Sequence, residues 1–166
     1  SPNLEERLRS HFRRADTRSL WIKRGDVHNT QEGDVSLARS AEEACALVRA
    51  LRSRDVTRSV WQEHIEGDLV KLYGVGESGE VWFKWFYHQD QKLRGHPFSE
   101  SELKEAFFSA AKALRLEIFG GDAVVAADGS LYLIDINAWP SFALFRGEAS
   151  AAIARHILAK ISHPVA

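Results

Sequence analysis

Two apolar runs meet at the dipeptide Asp128-Gly129, and this arrangement limits the fold more than any other feature of the sequence. Residues 123–127 are alanines and valines, and residues 130–136 are rich in leucine and isoleucine. Asp-Gly between such runs is a preferred sequence of a two-residue hairpin turn. We therefore predict antiparallel strands at 117–127 and 130–137, with Ala127 opposite Ser130.

The same register brings three oxygen-bearing side chains together. It places Asp122 directly opposite Asp135, and strand alternation puts Asn137 on the same face as Asp135. Two carboxylates in these positions repel each other, because their Cβ atoms are only about 5 Å apart. Carboxylate and amide oxygens suit Mg²⁺, so the pattern predicts a metal site. The alternative is that both acids face water, or that one of them is protonated.

The rest of the chain alternates helices with short strands. Helical periodicity predicts helices at 3–14, 40–51, 99–114 and 147–161. Alternating apolar residues predict strands at 20–23, 34–38, 59–64, 69–75 and 81–87. Ser40 and Glu43 have the spacing of a capping box at the start of the second helix. Strands in the middle with helices between them indicate an α+β architecture with mostly antiparallel sheets.

Composition excludes several classes of function. The chain has 166 residues, 45% of them apolar, and its 22 basic and 23 acidic side chains leave a net charge of −1. This charge argues against a nucleic-acid or anionic membrane partner. Its apolar runs are shorter than the roughly 20 residues of a membrane span, and the N-terminus lacks a signal-peptide pattern. We expect a cytoplasmic protein that binds neither nucleic acid nor membrane.

Three lysines stand in or at the ends of apolar strands. Lys23 ends the strand 20–23 and precedes a polar loop, in which backbone amides and His28 would be able to approach a phosphate. Lys71 and Lys84 lie inside strands, where an ammonium group needs an anion. The alternatives are a solvated charge for Lys23, and side chains that reach solvent from an edge strand for Lys71 and Lys84.

Together these residues resemble the ATP-grasp superfamily, particularly its inositol polyphosphate kinase-like branch and its ribosomal-modification and glutathione-synthetase-like branch. The resemblance covers about residues 20–161. The segments Phe-Gly-Gly-Asp at 119–122 and Ile-Asp-Ile-Asn-Ala-Trp-Pro at 134–140 are similar to the family's strand aspartate and its metal motif. The resemblance implies ATP and one or two Mg²⁺ ions as ligands, with Asp122, Asp135 and Asn137 on the metal.

The resemblance also assigns the other contacts of the nucleotide. The segment Trp-Gln-Glu-His-Ile-Glu-Gly-Asp at 61–68 looks like the hinge between two lobes, where backbone groups hold adenine and an acid holds ribose. Lys23 matches a phosphate-contacting lysine, and His28 resembles a histidine of the inositol kinase branch. The implied nucleotide-binding residues are Lys23, His28, Gln62, Glu63, His64, Ile65, Asp68 and Lys71. The implied catalytic residues are Lys71 and Lys84.

The implied architecture is an α+β ATP-grasp fold of two lobes, residues 1–61 and 62–166, with an ATP cleft between them. The domain that usually precedes the first lobe is absent from this sequence, so we expect a further N-terminal domain or a partner chain to complete the acceptor site. The implied activity is that of an ATP-dependent carboxylate–amine or carboxylate–thiol ligase, which acts through an acylphosphate on an unknown small-molecule acceptor. A kinase of a polyol or inositol phosphate, and a non-catalytic nucleotide- or partner-binding module, are the alternatives.

Overall fold

The computed structural model describes residues 3–14, 19–27, 30–77 and 81–162. The chain divides into two compact units, Ser1–His64 and Ile65–Ala166. Each unit contains one antiparallel sheet with helices beside it, which confirms the predicted α+β class. Among the helices described, none has both the length and the apolar character that crossing a membrane requires.

The first unit packs two helices on a three-stranded sheet. Its elements are α1 (Leu4–Arg14), β1 (Leu20–Arg24), β2 (Val35–Ala38), α2 (Ala41–Arg52) and β3 (Ser59–Glu63), and the strand order is β2-β1-β3. Leu20 and Ile22 of β1 are buried in one core with Leu8 of α1 and Val48 of α2. Because side chains alternate along a strand, Lys23 lies on the opposite face of this sheet.

Helix α2 begins after the predicted cap. The Ser40 Oγ accepts a hydrogen bond of 3.1 Å from the Glu43 backbone N–H. The Glu43 carboxylate, however, accepts from the backbone N–H of Arg39 at 2.6 Å. The serine half of the capping box is therefore confirmed, whereas the glutamate reaches one residue further back than the pattern predicts.

The second unit packs helices on both faces of a four-stranded sheet. Its elements are β4 (Asp68–Val75), β5 (Trp82–Tyr87), α3 (Glu100–Ala113), β6 (Ile118–Val125), β7 (Leu131–Ala138) and α4 (Arg146–Ser162), and the strand order is β5-β4-β6-β7. On one face, Val70 and Phe119 share a core with Phe107 of α3. On the other face, Val75 and Ala149 of α4 belong to a smaller core at one end of the sheet.

The β6–β7 hairpin does not form the predicted turn. The Gly129 N–H donates to the Ala126 carbonyl, and the Ala126 N–H donates to the Ser130 carbonyl, both at 2.9 Å. The loop therefore consists of residues 127–129, with Gly129 in the left-handed region at a φ of 85°. Next to it, Val125 pairs with Leu131, one residue out of the predicted register. The two-residue turn was the wrong prediction.

A β-bulge in β7 restores the predicted register before the acidic residues. Asp122 pairs with Asp135, and the following pair of the ladder skips Ile134. Leu133 and Ile136 both pack against the α3 core, although they are an odd number of residues apart. The bulge thus reverses which alternate residues face the core, and this change directs Asp135 to the opposite face.

Candidate functional site

The sheet face opposite α3 carries five of the predicted site residues in two adjacent rows. The first row crosses all four strands as Phe86, Lys71, Asp122 and Asp135. The second row crosses them as Lys84, Tyr73, Gly120 and Asn137. Members of a row are direct cross-strand neighbours, and residues two apart on a strand share a face. The structure therefore brings together Lys71, Lys84, Asp122, Asp135 and Asn137.

Lys71 compensates one of the two facing carboxylates. Its Nζ lies 2.9 Å from the Asp122 Oδ1, and the two side chains are 34% and 25% exposed. The anion beside this strand lysine is thus Asp122 itself. Asp122 is directly opposite Asp135, and among the described residues the ion pair of Lys71 is with Asp122. Asp135 therefore has room for a further cation.

The donor set at the end of the two rows suits a hard cation. The Asn137 Nδ2 donates to the Asp135 Oδ2 at 2.6 Å, and both side chains are exposed. Within the described residues, no three His, Cys, Asp or Glu side chains form a group able to hold a metal. A cation here would therefore use the two carboxylates, the Asn137 amide oxygen and ligands from outside the chain. Mg²⁺ is commonly bound in this way, with substrate phosphates completing its shell.

Lys84 lies in the second row and is held by α4. Its Nζ is 3.1 Å from the Glu148 Oε2 and 5.7 Å from the centroid of the Phe145 ring. The hydrogen bond from Lys84 lowers the pKa of Glu148 below its usual range. Lys84 is thus paired with a carboxylate outside the predicted metal set, whereas Lys71 is paired with one inside it.

Asp68, one of the residues that the resemblance assigns to the nucleotide, has a buried structural position. Its side chain is fully buried, and its two carboxylate oxygens accept backbone hydrogen bonds from Arg94 at 2.6 Å and His96 at 2.8 Å. Burial raises the pKa of Asp68, but these amides outweigh burial, and the net pKa lies below the usual value. Asp68 therefore fixes the loop 94–96, and we do not retain it among the nucleotide ligands.

The predicted adenine-binding segment, residues 62–65, begins in the last two residues of β3 and continues beyond the strand. Gln62 is the cross-strand partner of Trp21, and the Glu63 carboxylate lies 3.4 Å from the His11 Nε2. The His64 Nδ1 accepts a hydrogen bond of 3.1 Å from the indole N–H of Trp21. These residues end the first unit, and Ile65 begins the second.

Lys23 lies in β1 between Val35 of β2 and Val60 of β3. Both valines are exposed, so this row is open to solvent on the face away from the helices. His28, the second phosphate contact expected in this region, lies outside the described residues.

A buried acid that sequence reasoning missed holds the loop after Lys23. Asp34 is fully buried, and its Oδ2 accepts hydrogen bonds from the Thr30 N–H at 2.9 Å and the Arg24 Nη1 at 3.2 Å. The Arg54 Nη2 lies 3.0 Å from its other oxygen. The amide of Thr30 and the Arg24 guanidinium hold the pKa of Asp34 well below its usual range. In the sequence, the signal for this contact is that Arg24 and Asp34, of opposite charge, flank one polar loop.

Comparison with known proteins identifies the fold. No protein-family model matches the sequence, and no curated protein matches it. Among solved structures, the D-alanine–D-alanine ligase from Coxiella burnetii superimposes with a TM-score of 0.71 and 16% identity, over 96% of this chain and 51% of that one. The ATP-grasp ligase PsnB, in complex with the precursor peptide PsnA2 and AMPPNP, gives a TM-score of 0.63 and 19% identity, over 93% of this chain and 50% of that one.

A third similar structure is more distant in shape. The biotin carboxylase domain of the Hydrogenobacter thermophilus 2-oxoglutarate carboxylase, in complex with MgADP and bicarbonate, gives a TM-score of 0.55 and 18% identity, over 87% of this chain and 36% of that one. The present chain spans about half the length of the two ligase structures. At these identities the likeness concerns the fold. The chain has the ATP-grasp fold, with two α+β units that each contain an antiparallel sheet.

Proposed function

We propose that this chain is the Mg-ATP-binding part of an ATP-dependent ligase that joins a carboxylate to an amine or a thiol. The observation that carries the proposal is the first row of the second sheet, where Lys71, Asp122 and Asp135 are consecutive cross-strand neighbours. Asn137 follows on the same face. Structures of similar fold named as ligases, one of them with AMPPNP, support a nucleotide-dependent reaction of this class.

Each residue of the two rows has a distinct part in the proposal. ATP would convert the acceptor carboxylate to an acylphosphate, and the amine or thiol would then displace the phosphate; Mg²⁺ when bound offsets charge on the phosphates. Asp122 and Asp135 would supply carboxylate oxygens to the ion, and Asn137 its amide oxygen. Lys71 keeps an ammonium group beside these ligands, where it would stabilise developing negative charge.

Two further lysines and the hinge segment are also part of the proposed nucleotide site. Lys84 is the second ammonium group on the same sheet face as Lys71. Lys23, in β1 of the first unit, is a proposed phosphate contact. Gln62 to Ile65 are the proposed contacts of adenine. We also propose that the acceptor is a small molecule and that a further domain or a partner chain completes its site.

Calorimetric titration with Mg-ATP tests the metal and nucleotide site. We expect the wild type to bind, and Asp135→Ala combined with Asn137→Ala to bind at least about tenfold more weakly, because ligands of a charged group are lost. Asp90→Ala removes an exposed acid from the same unit outside the two rows and should bind like the wild type. Absence of binding by the wild type, or unchanged binding by the double variant, would remove the site.

The reaction class is tested by product analysis. The protein is incubated with Mg-ATP and pairs of carboxylic acids with amines or thiols, and in parallel with polyols. The ligase would be supported if ADP, phosphate and a new amide or thioester form only when both the carboxylic acid and the amine or thiol are present. A phosphorylated polyol would replace the ligase by a kinase, and ATP binding without any product in the presence of the completing domain would favour a binding module.

A further inference from the structure

A cavity of about 500 Å³ opens in the first unit where β3 meets α1 and α2. None of the described residues assigned above to ATP or Mg²⁺ lines it. Its volume lies within the range of small-molecule sites, which is about 300–1,000 Å³. The cavity is therefore large enough to hold a separate small ligand.

The inner wall of the cavity is apolar. Val48 and Leu51 of α2 and Val56 line it with side chains that are 2–5% exposed in the unit. The half-buried indole of Trp61 lies beside them, and its N–H donates to the Ser59 Oγ at 3.2 Å. A flat or aliphatic group placed here would contact buried carbon atoms and an aromatic ring.

The rim of the cavity is strongly basic. Arg7, Arg52 and Arg58 line it, and no acidic side chain does within the described residues. The guanidinium of Arg7 stacks over the Trp61 ring at 5.7 Å from its centroid.

The three arginines of the rim differ from four paired arginines of the unit. Arg9, Arg24, Arg49 and Arg54 each form an ion pair with a carboxylate. In the part of the chain that the structure describes, no such pair involves the three arginines of the rim. Three exposed arginines that form no ion pair with any described residue thus surround one cavity, and their summed positive charge favours an anion there.

We propose that this cavity binds an organic anion with a flat apolar portion. A carboxylate, sulfonate or phosphate group would be held by Arg52 and Arg58, since guanidinium groups match the geometry of such anions in paired hydrogen bonds. The ring portion would lie on the apolar wall beside Trp61. The site differs from the proposed nucleotide site in its residues and needs neither Mg²⁺ nor ATP.

Titration with 8-anilinonaphthalene-1-sulfonate, followed by its fluorescence, tests this site on the native protein without nucleotide. We expect one binding site in the wild type. Arg52→Gln and Arg58→Gln should each weaken binding about tenfold, because each removes a charge-assisted hydrogen bond. Arg39→Gln removes an exposed arginine of the same unit outside the cavity and is the matched control, with unchanged affinity expected.

Two further measurements separate this site from general apolar binding. The neutral analogue N-phenyl-1-naphthylamine should bind much more weakly than the sulfonate. The indole N–H resonance of Trp61, assigned with Trp61→Phe, should shift during the sulfonate titration, whereas that of the exposed Trp139 should not. Equal affinity of the neutral analogue, unchanged affinity of both arginine variants, or no shift at Trp61 would each overturn the proposal.

Discussion

Replacing Lys71 by methionine should destabilise the metal-free protein and, at the same time, tighten its binding of Mg²⁺. The Lys71 Nζ lies 2.9 Å from the Asp122 Oδ1, and Asp122 is directly opposite Asp135 in the sheet. Methionine keeps much of the apolar length of lysine but removes the ammonium group. Two carboxylates then face each other without their internal counterion, and a divalent cation becomes the way to relieve their repulsion.

The size of the effect follows from the separation and exposure of these charges. Two unit charges about 5 Å apart interact by about 3 kcal/mol at an effective dielectric constant of 20, and by about 0.8 kcal/mol in bulk water. The side chains of Lys71 and Asp122 are 34% and 25% exposed, so solvent screens them in part. We therefore expect a loss of about 1–2 kcal/mol, between the values for surface and buried pairs. The same free energy corresponds to Mg²⁺ binding that is about 5- to 30-fold tighter.

Urea denaturation with and without Mg²⁺ measures both effects. At ten times its Kd, Mg²⁺ should stabilise the folded state by about 1.4 kcal/mol, and the Lys71→Met variant should reach this response at lower Mg²⁺ than the wild type. Adding Asp122→Asn should abolish the response, and Lys112→Met, an exposed lysine of α3, should behave as the wild type. Equal stability of Lys71→Met and wild type without Mg²⁺, together with equal Mg²⁺ responses, would refute the reasoning.

Two further predictions concern packing and pH. Alanine at Gly121 would place its Cβ 2.4 Å from the Phe107 Cε1, so the free energy of unfolding should fall by about 2 kcal/mol or more in urea denaturation. Alanine at Gly147, in α4 with nothing within 4 Å, should raise it by about 0.5–1 kcal/mol; equal effects would contradict the packing argument. The Thr30 amide keeps the pKa of Asp34 below its ordinary value of 3.8, so stability present above that pH is lost as the pH falls below it. Asp34→Asn should flatten this acid limb of the stability curve, and an unchanged slope would assign it to other groups.

The sequence predicts the pairing of Asp122 with Asp135 through a turn that the chain does not form. Two departures of one residue cancel: the loop is longer by one, and the bulge at Ile134 returns the strands to the predicted register. Turn preferences and the alternation of apolar residues report only on interactions between residues close together in the sequence. The bulge depends on the packing of Leu133 and Ile136 against α3, which is a tertiary contact that no local pattern contains.

Buried acids were the second limit of sequence reasoning. The resemblance assigns Asp68 to the nucleotide, but its partners are backbone amides 26 and 28 residues further along the chain. Asp34 likewise depends on the fold of a polar loop and on Arg54 of a later segment. A sequence pattern shows that a carboxylate occurs at a position. Whether this carboxylate is available to a ligand depends on contacts with groups far away in the sequence, which the pattern does not show.

The bulge at Ile134 makes the direction of two polar side chains depend on one residue staying unpaired. Because the ladder with β6 skips Ile134, deleting this residue would join the two halves of β7 into one regular alternation and leave Asp135 and Asn137 on the face of Lys71. The same strand with Ile134 paired in a continuous ladder would instead turn both polar side chains toward the apolar face covered by α3. The face on which these two residues lie is thus set by the pairing of Ile134, and the side chain of Ile134 itself takes no part in it.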